Sequence, residues 1–157
     1  MKIRLILVGK TVEGYLQSGI SLYAGRLVHY VPFEMVEIPD LKQASSLSTD
    51  QIKTREGESI LKAVKPSDHL ILMDERGKSF TSVEWARDLE QKSVRLAKDL
   101  VFVIGGPYGF SKAVYDRCDE KISLSKMTFS HQLVRVIFLE QLYRAFTIIK
   151  GEPYHHE

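Results

Sequence analysis

A chain of 157 residues is the size of one domain, and residues 1–157 read as a single unit able to bury roughly 70% of its unfolded surface. Twenty-two basic residues face 20 acidic ones, so bulk charge does not announce a nucleic-acid binder and any basic surface must be local. Cys118 is the only cysteine, which excludes an internal disulfide and suits a reducing cytoplasm, and no apolar run approaches the roughly 18 residues of a membrane span.

The start, Met1-Lys2-Ile3-Arg4-Leu5, runs into a strand-like segment that stops at Gly9. It lacks a signal peptide's longer apolar core and small-residue cleavage site, and a cytoplasmic protein is expected. Tyr15, Ile20, Tyr23 and Leu27 fit one face of a first helix, and residues 33–38 form a second short β-branched run. The Ser-, Lys- and Gln-rich stretch 40–49 reads as a surface loop. Ile52, Ile60, Leu61 and Val64 fit a second helix, with Pro66 just past its end. A third strand over 69–73 ends in Met73-Asp74-Glu75-Arg76-Gly77, an apolar side chain followed by a charged turn. Val83, Ala86, Leu89 and Val94 predict a third helix.

Residues 100–104 are continuously apolar, as a strand buried on both sheet faces requires, and 121–124 is a further strand. The alternation predicts an α/β fold, a mostly parallel sheet flanked by helices. The last helix, about 131–150, is apolar around nearly its whole circumference and must be buried on more than one side. Its second side is either a partner subunit or the rest of its own core.

Ligands in open parallel sheets bind beyond the carboxyl ends of the strands. There the apolar strand opens into Gly105-Gly106-Pro107-Tyr108-Gly109, whose glycines admit close backbone approach but do not match a dinucleotide fingerprint or a P-loop. Leu124, Ser125, Lys126, Met127, Thr128 and Phe129 form a loop whose amides suit a purine edge, and Ser130 is a candidate N-cap for the last helix. His131, Arg135, Glu140 and Arg144 are the polar exceptions on that helix, with Glu140 and Arg144 spaced for a surface ion pair. No Cys/His cluster has zinc spacing, so no metal is expected, and no G-x-S-x-G elbow supports a serine hydrolase. The tail, Glu152-Pro153-Tyr154-His155-His156, ends on a rigid proline, an aromatic ring and two imidazoles, groups that stack and exchange protons near neutral pH. A polar end without function is the plain alternative.

VFVIGGPYG, LSKMTFSHQLVRVIFLEQLYRA and the PYH tail together resemble the ribosomal RNA large subunit methyltransferase H family of the SPOUT superfamily, over essentially the whole chain. The resemblance implies methylation of N3 of a pseudouridine in large-subunit (23S) ribosomal RNA, on the ribosome. It also implies a homodimer, a C-terminal trefoil knot, and S-adenosylmethionine bound by Met73, Gly105 and the loop from Leu124 to Phe129. Where many members have proline this chain has Ser130, and where they have a basic residue it has His156.

A methyl transfer to an imide nitrogen needs alignment and loss of a proton. His155 is the first candidate for proton removal or for orienting the uracil edge, Tyr154 for stacking on the base or bonding its carbonyl, and His131 for serving as base instead. Arg135 and Arg144 are read as phosphate or carbonyl contacts to RNA. A SPOUT methyltransferase acting on tRNA and a non-catalytic ribosome-binding module are the alternatives.

Overall fold

A computed structural model describes residues 1–156. Five parallel strands, β1 (Ile3–Val8), β2 (Phe33–Ile38), β3 (His69–Ser79), β4 (Leu100–Ile104) and β5 (Glu120–Ser123), form one sheet in the order β2-β1-β4-β3-β5. The expected α/β class is what is found. The pleat sends alternate side chains to opposite faces. Ile3, Leu5, Leu7, Phe102 and Ile104 pack under α1 (Gly14–Leu27), α3 (Ser82–Arg95) and α5 (Leu133–Ile149). Ile6, Val8, Leu70, Leu72, Val101 and Val103 pack under α2 (Thr49–Lys62) and α4 (Lys112–Arg117). Both faces are therefore covered, which is why β4 is apolar at every position.

Capping sets the helix starts. Ser48 with Gln51, and Thr81 with Glu84, close reciprocal capping boxes ahead of α2 and α3. Two helical faces differ from the spacing argument. Leu16, not Tyr15, is buried on α1, and Trp85 joins Ala86 and Leu89 on α3 while Val94 is exposed.

α5 lies against both α1 and α3, so much of its apolar circumference is covered by its own chain. Phe138 is fully buried between Trp85 and Phe102, with ring centroids 5.9 and 5.1 Å away. The core reading of this helix accounts for most of its surface. What stays open is a seam: Tyr15 and Leu22 flank Gly19 on one stripe of α1, Gly19 sits against Val136 of α5, and Tyr15, Leu22 and Leu133 remain exposed.

β3 is longer than expected, because the charged segment after Met73 does not turn away. Met73 and Lys78 both pair with Ile122, so the chain between them leaves the ladder and returns over β5. Gly77 makes the crossing possible. A Cβ there would stand 2.5 Å from the Ile122 nitrogen and the Lys121 carbonyl carbon, both backbone atoms that cannot swing aside.

Candidate functional site

The carboxyl ends of β3, β4 and β5 open into a cavity of about 590 Å³. Met73 ends the paired part of β3, Gly105 follows β4, and Leu124, Ser125, Met127, Thr128 and Phe129 follow β5; all line this cavity, with His131 at the entry to α5. Of the expected cofactor set only Lys126 does not line it.

The loop holds its shape through its own hydroxyls. Ser123 Oγ donates to the Ser125 carbonyl (2.9 Å), the Met127 N–H donates to Ser125 Oγ (2.9 Å), and Thr128 Oγ1 donates to Glu75 Oε2 (3.2 Å). Ser130 Oγ accepts from the Leu133 N–H at 3.0 Å, although the N-cap position of α5 is Gln132, which makes no side-chain cap.

Gly105 is bare for a local reason. A Cβ on it would meet the Phe110 ring at 2.9 Å, so the turn folds back on its own aromatic residue. A valine at this position would thus strike Phe110 first, ahead of any bound ligand. At Gly106 a Cβ would lie 3.1 Å from the Glu56 carboxylate, whose pKa is raised by its own burial and by Asp40.

One wall of the cavity was not legible in the sequence. The Tyr115 hydroxyl donates to the Asp74 carboxylate, the Arg76 N–H donates to Asp74 Oδ1 (2.9 Å), and Arg76 Nη2 donates to the Tyr115 oxygen (3.1 Å). Burial opposes ionisation of Asp74, but the Tyr115 and Arg76 hydrogen bonds and the nearby Arg76 and Lys121 charges outweigh it and hold the carboxyl below its usual range. Asp74 and Tyr115 are 41 residues apart on elements with no shared motif.

His131 is pushed below 6.5 by partial burial and by the Arg135 charge, against a weaker pull from Asp40, so it stays neutral at neutral pH.

Arg135 overturns an expectation. Its side chain is fully buried, and it donates to the Val8 carbonyl (2.7 Å), the Gly9 carbonyl (3.0 Å), Thr11 Oγ1 (2.9 Å) and the His131 carbonyl (3.2 Å). A guanidinium enclosed in this way has no surface for RNA; it ties the first turn of α5 to the end of β1. The apolar neighbours that mark core positions elsewhere gave no hint that an arginine would join them.

Arg144 and the tail form a second group. Glu140 Oε1 accepts from Arg144 Nε (3.1 Å), Arg144 Nη2 (2.6 Å) and the Tyr154 hydroxyl (3.0 Å). The expected ion pair is therefore the anchor of the tail. The Arg144 guanidinium lies 4.8 Å from the Tyr154 ring centroid, and Tyr154 meets Tyr143 edge to face at 4.7 Å. Burial and the Glu140 bond raise the Tyr154 pKa, keeping its hydroxyl protonated. Arg144 Nη1 lies 3.0 Å from His155 Nδ1. A guanidinium only donates, so Nδ1 is the acceptor and the ring proton sits on Nε2.

The tail group is anchored on Glu140 and Arg144, in the middle of α5 and about 10–16 Å along its axis from the first turn, and among the described residues no residue of the tail lines the cavity. Among the described residues no group of three His, Cys, Asp or Glu side chains has a metal-binding arrangement, and no helix is long and apolar enough to cross a membrane.

Residues 1–155 match the family model described as predicted SPOUT methyltransferase. A ribosomal RNA large subunit methyltransferase H of Parabacteroides distasonis is 59% identical over 157 residues, covering 100% of both chains. The protein of the same name from Bacteroides fragilis is 55% identical over the same span. Among solved structures, a probable methyltransferase from Bordetella pertussis has a TM-score of 0.58 at 13% identity, covering 92% of this chain and 94% of its own. A probable methylase family protein from Haemophilus influenzae has a TM-score of 0.55 at 15% identity, covering 99% of this chain and 70% of its own. These two likenesses speak for the fold alone.

Proposed function

The chain belongs to the SPOUT methyltransferase family, and from that premise we propose that it methylates N3 of a pseudouridine in large-subunit (23S) ribosomal RNA, with S-adenosylmethionine as donor. The observation that carries this reading is the cavity at the strand ends, in a chain aligned end to end with relatives named for large-subunit ribosomal RNA.

The residues fit the donor. A cavity of about 590 Å³ is of the size that takes a cofactor-sized molecule. Met73, Leu124 and Phe129 offer apolar surface to a purine, the loop from Leu124 to Phe129 offers backbone amides to its edge, and the glycine turn admits close approach. When bound, S-adenosylmethionine supplies an electrophilic methyl group.

The chain's own residues hold the nitrogen in line and take its proton. His131 borders the cavity and is neutral at neutral pH, so it is assigned as proton acceptor. His155 has Nδ1 committed to Arg144 and is assigned to orienting the base through its protonated Nε2. Tyr154, protonated and held by Glu140, is assigned to stacking or to bonding a carbonyl.

Because the tail is held on Glu140 and lines no part of its own chain's cavity among the described residues, the working site is assigned to a homodimer, with the tail of one protomer beside the cavity of the other. The exposed seam of Tyr15, Leu22 and Leu133 is the surface assigned to that pairing.

The test is single-turnover transfer of labelled methyl from S-adenosylmethionine to ribosomes lacking the modification, with nucleoside mass spectrometry of the product. N3-methylpseudouridine in large-subunit RNA is expected. A modified tRNA nucleoside instead would move the enzyme to another substrate, and absence of S-adenosylmethionine binding by calorimetry would leave a non-catalytic ribosome-binding module.

A further inference from the structure

A second cavity, of about 700 Å³, opens at the far end of α5, between the C-terminal turns of α1 and α5 and the tail. Arg26, His29, Tyr30, Tyr143, Lys150 and Tyr154 line it. Its chemistry is cations set on aromatic rings. The Arg26 guanidinium is 5.2 Å from the Tyr143 ring centroid and 5.7 Å from that of Tyr23, and Lys150 Nζ is 5.9 Å from that of Tyr30. The one carboxylate in the wall, Glu152, is taken by the Tyr30 hydroxyl, which donates to it at 2.7 Å. That bond, with burial, pushes the Tyr30 pKa up to about 12. Neither Arg26 nor Lys150 has a carboxylate within ion-pair distance among the described residues. In a chain whose net charge is only +2, two cations with no ion-pair partner among the described residues, beside three tyrosines, make a local site for an anionic ligand with flat rings.

We infer that this cavity binds single-stranded RNA next to the target nucleotide, with Arg26 and Lys150 on phosphates and Tyr30 and Tyr143 against a base. Base-on-aromatic stacking and backbone cations are the usual means by which a protein tracks a single strand. The placement rests on the assignment of Tyr154 to the reaction, since that residue lines the same cavity and brings the strand there. It also supplies the RNA contact that buried Arg135 does not provide.

The experiment titrates salt against the affinity of a fluorescein-labelled RNA of about ten nucleotides, by anisotropy, for the wild type and Arg26→Gln/Lys150→Gln. Each cation that contacts a single-strand phosphate contributes about 0.7 to the slope of log affinity on log salt, so the double variant should lose about 1.4. Arg26→Lys/Lys150→Arg keeps both charges and should restore the slope. With ribosomal substrate the neutral double variant should raise KM about tenfold and leave kcat within about twofold. Calorimetry of S-adenosylmethionine should be unchanged, which also certifies the fold of the variant. An unchanged salt slope and KM would overturn the inference while leaving the methyl-transfer reading intact. Loss of RNA affinity in the variant of a protein that transfers no methyl would uphold this cavity and sink that reading.

Discussion

At the scale of single residues, Arg135 and His131 separate what a sequence says from what a fold does with it. Both are polar interruptions of an apolar helix start, and the residue types alone suggest contact with a polyanion or a proton. Arg135 turns inward onto the Val8 and Gly9 carbonyls and the Thr11 hydroxyl at and just past the end of β1, and onto the His131 carbonyl ahead of its own helix. Replacement by methionine strands those acceptors, each worth about 1–3 kcal/mol when buried unpaired, and the total should be about 3–5 kcal/mol because neighbouring losses do not add fully. Urea denaturation measures this loss. The salt dependence of RNA binding should not change, since the residue faces no solvent. His131 gives a prediction in pH. Its pKa is depressed, so the neutral form that accepts a proton persists below the ordinary histidine range. The acid limb of kcat/KM should accordingly fall below pH 6.5 rather than at it. His131→Gln should remove that limb and lower transfer about 10²–10⁴-fold. A limb that survives the substitution would assign the proton to another group.

At the scale of elements, the strands at 3–8, 33–38 and 100–104 were legible to the residue: two-sided burial leaves β4 wholly apolar and β1 apolar but for Arg4, while the edge strand β2 carries Glu34 and Glu37 among its apolar residues. The continuation of β3 through Asp74 and Gly77 was not, since it pairs through backbone atoms and its side chains are those of a turn. The six-residue α4 was missed for a related reason: only Val114 is fully buried, too little for a periodic pattern. Gly77 is where this hidden element can be tested. Alanine there must push backbone off Lys121 and Ile122, which displaces Met73 and Leu124 on either side of the cavity. S-adenosylmethionine affinity in the folded variant should drop at least tenfold by calorimetry. The tail behaves oppositely. Deleting the residues from Tyr154 onward leaves the strand ends untouched, so cofactor affinity should stay within about threefold while single-turnover transfer falls about 10²–10⁴-fold. A truncated enzyme with full activity would make the network on Glu140 a mere surface tether.

At the scale of the whole molecule, the proposed second copy rests on a tail that is held on Glu140, about 10 Å along α5 from its first turn, and lines no part of its own chain's cavity among the described residues. Most of the cavity lining was readable because a glycine turn and a loop with large apolar side chains follow β4 and β5 at the strand ends. A surface for the proposed partner was not, because the roundly apolar α5 that suggested one is consumed largely by α1 and α3. Phe138 of α5 is interior, and glutamate there would unfold the protomer. Leu22→Glu, on the exposed stripe of α1, is the informative change and should yield folded monomers by sedimentation that bind S-adenosylmethionine but transfer no methyl. A sharper test mixes two damaged chains. One carries Thr128→Trp, which fills the cavity from its exposed rim, and the other lacks the tail from Tyr154. Each homodimer has two broken sites. A mixed dimer has one site broken twice and one made of the intact cavity and the intact tail. After random exchange of subunits about half of the dimers are mixed, so activity should return to about a quarter of the wild type. No recovery in a population shown by mass spectrometry to contain mixed dimers would place the tail and the cavity of the same chain in one site, and would require the tail to leave Glu140 and reach back along the first turns of α5.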